Sequence, residues 1–231
     1  MDPLRRFGQA GLSTWSTLGS LHQLVIGVGV QAWEGPNPRH RVRAVLQRVG
    51  VEGGSTAIVV GSVAGMLMIG LPLAFLGEFA LQQPGLGLLG LPAVRVLAPV
   101  VAAAVVAGRL LIEPDNRPIA EQATPVVLGS VLSALGHFIL AALAAIVCGY
   151  GAGGTLGGQS YASLFHDFAS DFGFIDLAHG LTKAALFGLV VGVIRAHQAL
   201  LKGQPRGALR AVLACIVLDG LLNLPWLMGL L

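Results

Sequence analysis

The chain has 231 residues, of which 55% are hydrophobic and only 11% charged, and its formal net charge is +3. A soluble domain averages about 25% charged residues, so this composition excludes a water-soluble globule. The two cysteines, Cys148 and Cys215, lie within or at the edge of apolar runs, a placement that suggests neither a disulfide framework nor a metal site.

Five long apolar stretches run roughly over 55–76, 92–112, 125–149, 177–195 and 209–230. Each can cross a hydrocarbon layer of about 30 Å as a helix. The predicted fold is therefore an all-α integral membrane protein. Its basic residues fall in alternate gaps. Arg5, Arg6, Arg39, Arg41, Arg43 and Arg48 precede the first span. Arg109 and Arg117 lie between the second and third, and Arg195, Lys202, Arg206 and Arg210 between the fourth and fifth. Gaps 77–91 and 150–176 contain no Lys or Arg. The positive-inside rule places the N-terminus in the cytoplasm and the C-terminus outside. No aromatic residues are interleaved with the arginines, so anionic lipid headgroups are a nearer partner than nucleic acid.

Residues 1–31 carry Trp15, Leu18, Leu21, Leu24 and Val25 at helical spacing, interrupted by polar residues. This pattern predicts an N-terminal helix lying in the interface, with Arg5 and Arg6 at its cytoplasmic start. A sixth crossing helix is the alternative, and it would put those two arginines outside. The first thirty residues lack the charged, apolar and small-residue order of a cleavable signal peptide. Glu-Gly-Pro-Asn-Pro at 34–38 is a break, followed by a basic amphipathic segment from Arg39 to Val49. The chain divides accordingly into an interfacial and basic segment, 1–50, and a five-span unit, 51–231. The first span, from near Ser55, holds Gly61 and Gly65 in a GxxxG spacing suited to tight packing, then Gly70 and Pro72, where a kink is expected.

The gap 77–91 has Glu78 as its one charge, and the second span carries Arg95 near its outer end and Arg109 at its inner end. Arg95 could snorkel to the interface or face a central cavity. The polar run 113–124 predicts a cytoplasmic turn. In the third span Ser130, Ala134, His137, Ala141, Ala145 and Cys148 share one face, either as a helix–helix seam or with His137 as a transport residue. The outer segment 150–176 opens with a glycine-rich stretch and then carries His166, Asp167, Asp171 and Asp176. With His179 these fit no standard metal-ligand spacing, and a wet acidic face is expected. The fourth span contains Lys183 and a second GxxxG, Gly188 and Gly192. The fifth contains Asp219 and Asn223, one turn apart. Ionisable groups at this depth are costly unless paired or facing water. Topology sets Lys183 and Asp219 toward opposite ends, which leaves their pairing unsecured. There is no Walker A loop, HExxH, GxSxG or paired CxxC. No catalytic residue, metal or directly bound cofactor is expected, and energy for any transport must come from a partner chain or an ion gradient.

Several short segments in order resemble the permeases associated with Mla and Mce lipid-transport systems. Phe7-Gly8-Gln9-Ala10-Gly11-Leu12 is similar to the family's N-terminal FGRAGL-like segment. Arg95-Val96-Leu97-Ala98-Pro99 looks like its Arg-Glu-Leu-Gly-Pro run, followed by Ala107-Gly108-Arg109. Glu121-Gln122 resembles a Glu-Gln pair, and Thr182-Lys183-Ala184-Ala185-Leu186-Phe187-Gly188 a Lys-Ser-x-x-Phe-Gly-like signature. Asp219 fits an acidic position of the last helix. The resemblance implies an interfacial helix followed by five spans in a permease dimer of the bacterial inner membrane. It also implies a cytoplasmic ABC ATPase that supplies ATP hydrolysis, a periplasmic MCE-domain protein, and phospholipid or another lipid as cargo. On that reading Arg95, Lys183 and Gly70 bind substrate, and Arg109, Glu121 and Gln122 couple to the ATPase. Gly61, Gly65, Gly188, Gly192 and Asp219 are structural. The chain departs from the pattern at Val96, where the family has Glu, and in shortened cytoplasmic segments after Arg109 and at 202–210. Those departures motivate an alternative, a non-transporting pseudo-permease or membrane scaffold. A small ion-coupled carrier using His137 and Asp219 is a third reading, against which no inverted repeat is apparent.

Overall fold

The computed structural model of the chain describes residues 39–78, 86–110, 119–158, 160–200 and 207–227. The expected interfacial helix at 1–31 lies outside the described residues. The described part is all-α, with six helices: α1 over 39–78, α2 over 86–109, α3 over Ile119–Gly157, α4 over Tyr161–Asp171, α5 over Phe174–Leu200 and α6 over Gly207–Leu227. Five of them, all but α4, are long and apolar enough to cross a membrane. A helix is the solution because hydrocarbon offers no partner for an exposed N–H or C=O, and a helix satisfies both within itself.

Helix boundaries differ from the expected spans. The first helix starts at Arg39 rather than near Ser55, so the basic segment and the span form one helical run. It is relaxed into π-helical turns at Leu46–Val51 and Met66–Gly70. The second of these turns ends two residues before Pro72. Proline has no N–H to donate and its ring crowds the carbonyl four residues back, and a wider turn absorbs both effects. A third π-helical turn, Ala93–Leu97, precedes Pro99 in α2 for the same reason. The expected turn at 113–124 becomes helical from Ile119, and the glycine-rich stretch that opens the outer segment continues α3 to Gly157. Close backbone neighbours stabilise it there. A Cβ on Gly153 would come within 2.6 Å of Leu73 in α1, and one on Gly157 would lie 3.0 Å from the Leu73 carbonyl oxygen.

The centre of the bundle is α3, which packs against α1, α2 and α5, while α6 closes the far side against α5 and α2. Small residues bring the backbones together. A Cβ on Gly61 would lie 2.6 Å from the Ala141 carbonyl oxygen, and Gly65 approaches Ala145 more closely still. On another side of α3, a Cβ on Gly188 would lie 2.7 Å from the Cα of Val131, and one on Gly192 2.8 Å from that of Val127. In hydrocarbon, where apolar side chains gain nothing by meeting one another, such close backbone contact is a main source of helix association.

The polar ends of the bundle differ. Arg43, Arg48, Arg109, Arg195 and Arg210 lie at one end, and Asp167, Asp171 and Asp176 at the other. At the basic end the Arg195 Nε donates to the Leu110 carbonyl oxygen at 3.1 Å, placing a cation at the C-terminus of α2 where exposed carbonyls favour it. At the acidic end the outer segment is not simply a wet face. It contains α4, which turns Leu164 and Phe168 inward and leaves His166, Asp167 and Asp171 exposed. The Tyr150 hydroxyl accepts a 3.0 Å hydrogen bond from the Gly90 N–H and so fixes the start of α2 against α3.

Candidate functional site

The densest buried polar cluster joins α2, α5 and α6. It is built from Arg95 and Asp176, which form an ion pair, and from Lys183, Asp219 and Asn223. Lys183 is 1% exposed, and its Nζ donates to Asp219 Oδ1 at 2.9 Å, to Asn223 Oδ1 at 2.5 Å and to the Arg95 carbonyl oxygen at 2.9 Å. An ammonium has three donors, so this set uses all of them. Asn223 Nδ2 in turn donates to Asp219 Oδ2 at 2.9 Å. The two residues are one turn apart on α6, which lets one helix face supply both acceptors.

The third acceptor, the Arg95 carbonyl, lies in the π-helical turn Ala93–Leu97 that precedes Pro99.

This geometry corrects the expectation that Lys183 and Asp219 lie toward opposite ends. Lys183 is nine residues into α5 from Phe174, and Asp219 is eight residues before α6 ends at Leu227. Because the two helices are antiparallel, those positions are at nearly the same depth. Their ion pair is buried, with side-chain exposures of 1% and 7%.

Arg95 neither simply snorkels nor stands alone in a cavity. Its Nε donates to Asp176 Oδ1 at 2.5 Å, and its side chain is 20% exposed while that of Asp176 is 6% exposed. Asp176, expected as part of a wet acidic face, is instead buried, and its other oxygen accepts from the Gly173 N–H at 2.8 Å. One carboxylate thus orders the turn into α5 and holds the arginine of α2. The structure brings Arg95 and Lys183 together. It places Gly70 in the α1–α3 contact, with Ala152, Gly149 and Gly153 as its nearest neighbours.

Arg109 is at the basic end, where its Nη2 donates to Thr56 Oγ1 at 3.2 Å. Glu121 and Gln122 lie in the first turn of α3. His137 belongs to the α1–α3 seam: its Nε2 is 3.0 Å from the Gly50 carbonyl oxygen, and its ring would touch any Cβ on Gly53. On the same face Cys148 Sγ donates to Ser62 Oγ at 3.3 Å. Both cysteines are free thiols. Among the described residues no group of three or more His, Cys, Asp or Glu side chains could hold a metal ion.

Five apolar spans tied by two buried or part-buried ion pairs define a multi-pass, all-α membrane protein. Residues 115–223, from the approach to α3 through most of α6, match the family model for Permease MlaE. No curated protein matches the chain. The matched stretch contains Asp176, Lys183, Asp219 and Asn223, while Arg95 comes from outside it.

Proposed function

We infer that the chain is the permease subunit of an ABC-type transporter that moves lipid, with phospholipid as the favoured cargo. The observation that carries this reading is the coincidence of the MlaE match with the buried Lys183–Asp219–Asn223 cluster. Such a cluster is expensive in hydrocarbon and is retained where it ties moving helices or meets a substrate. Lys183 spends its three donors inside the bundle, so in this conformation its role is to hold α5 on α6 and α2. Arg95, 20% exposed and paired with Asp176, meets an anionic headgroup on this reading. Gly70 keeps α1 close to α3 and shapes the wall of the bundle.

The basic end is the cytoplasmic one on this reading, as the positive-inside rule requires, with the N-terminus on the same side. The ATPase docks there, near Arg109, Glu121 and Gln122, and ATP acts through that partner. An MCE-domain protein meets the acidic end in the periplasm, and two permease chains form the membrane core of the assembly in a bacterial inner membrane.

The test is purification of the tagged chain from native membranes in mild detergent, with bound proteins and lipids identified and quantified. An ATPase in stoichiometric amount with phospholipid supports the transporter. A folded chain that reproducibly lacks the ATPase refutes it in favour of the scaffold.

A further inference from the structure

A second feature at the acidic end is apolar throughout. Beneath α4 lies a cavity of about 380 Å³, walled by Phe138, Ala142 and Ile146 of α3 and roofed by Phe165, Phe168 and Ala169 of α4. Its mouth runs along Ile139, Leu143 and Val147, which are 47%, 57% and 51% exposed on the outward side of a membrane span. The roof is ordered by its own rings. Tyr161 and Phe165 stack at 5.9 Å between centroids, and Phe168 meets Phe172 at 5.1 Å and Tyr150 at 5.7 Å. Tyr161, Leu164, Phe165, Phe168 and Phe172 recur at the spacing of one helix face, while His166, Asp167 and Asp171 are exposed. The helix therefore lies along the interface with its aromatic side over the cavity.

We propose that this cavity is a binding site for a single hydrocarbon chain, which enters from the bilayer between α3 and α4. Water is a poor occupant, because a buried water needs two to four polar partners and the walls offer almost none. A protein segment is too large. At about 30 Å³ for a water-sized group, the space takes roughly a dozen such groups, the length of much of one acyl chain. The chain comes from hydrocarbon, so the hydrophobic effect adds little. Binding rests on filling a void with close contacts that the empty site lacks. A free fatty acid and one tail of a phospholipid share this chemistry. The proposal needs no ATPase or MCE protein and does not depend on the transport reading.

The full chain in phosphatidylcholine nanodiscs is photolabelled with either of two probes, a diazirine-bearing palmitate or a phosphatidylcholine carrying the diazirine on one tail. Labels are mapped by peptide mass spectrometry. The expected result is labelling that saturates and concentrates on residues 138–147 and 161–172 with at least one probe, and the probe that labels names the source. Ala142→Phe, which fills the cavity, and Ala169→Trp, which fills it from the exposed helix, each lower that labelling at least fivefold. Leu132→Phe, on the lipid-facing side of α3 outside the cavity, leaves it unchanged. If Ala142→Phe does not fold, Ala169→Trp decides alone. Labelling by neither probe overturns the proposal. So does labelling that rises linearly with probe and spreads over Leu132, Leu213 and Leu221 as well, or that survives the filling variants.

Discussion

Replacing Lys183 with Met removes one charge and three hydrogen bonds from the interior while keeping much of the side-chain volume. Asp219 is then left with the Asn223 amide at 2.9 Å as the hydrogen bond that remains to it within the cluster, and the Arg95 carbonyl loses the ammonium donor. Two magnitudes compete. Polar pairs between membrane helices average only about 0.6 kcal/mol, because chains unfolded in the membrane also find partners. Breaking a buried ion pair from one side costs about 3–5 kcal/mol, because the remaining charge is uncompensated. The second applies here, since Lys183 is 1% exposed and meets three acceptors from two other helices, an arrangement that no unfolded state reproduces. Lys183→Met should therefore destabilise the bundle by about 3–5 kcal/mol. Asp219→Asn should cost about 3 kcal/mol, because its amide oxygen still accepts from the ammonium but leaves that charge uncompensated and turns an NH2 toward the Asn223 amide. The double variant should fall short of the sum by at least about 2 kcal/mol. Equilibrium unfolding by SDS titration from mixed micelles measures all three. A Lys183→Met protein within about 1 kcal/mol of the parent, with strictly additive effects in the double variant, would show that the pair does not tie α5 to α6.

Four further outcomes are expected. Gly65→Val places a branched side chain against the Ala145 backbone and should cost about 2–3 kcal/mol in the same unfolding assay. Gly136, where an added Cβ meets nothing within 4 Å, should accept Ala with little change. Tyr150→Phe leaves the Gly90 N–H without its acceptor and should cost about 1–2 kcal/mol, with faster amide exchange at the start of α2 read by mass spectrometry. Single cysteines at Arg43 and Asp167, in a chain lacking Cys148 and Cys215, should react with impermeant maleimide from opposite sides of the membrane, with Arg43→Cys on the cytoplasmic side. The reverse labelling would overturn the assigned orientation.

The spans were legible because an apolar run of about twenty residues has one solution in hydrocarbon. Their ends were not. Glycines after Tyr150 read as a loop in water, yet neighbouring backbone holds them in α3. The outer segment showed its acids plainly and hid its helix, since five apolar positions among polar ones give a weak signal over three turns. The Lys183–Asp219 pair was missed for a different reason. Which residues of antiparallel helices share a depth depends on where each helix starts, and shifting those starts by one or two turns reverses the conclusion. Asp176 shows the same limit, because nothing local to it reveals that Arg95, 81 positions earlier, lies within reach.

The central position of α3 means that the border of the family match is not the border of a folding unit. A fragment cut to residues 115–223 would keep the seam at Gly188 and Gly192 and the pairing of Lys183 with Asp219. It would also strip α1 and α2 from the other sides of the pillar, baring His137, Ala141, Ala145 and Tyr150, and would take the Arg95 carbonyl away from Lys183. Such a fragment would be a structure with one wall standing, whereas the described chain packs α1, α2 and α5 against the pillar. The extent of the family match and the dependence of the bundle on what precedes it are thus separate matters, and the described segment before the match is as necessary to the architecture as the segment within it.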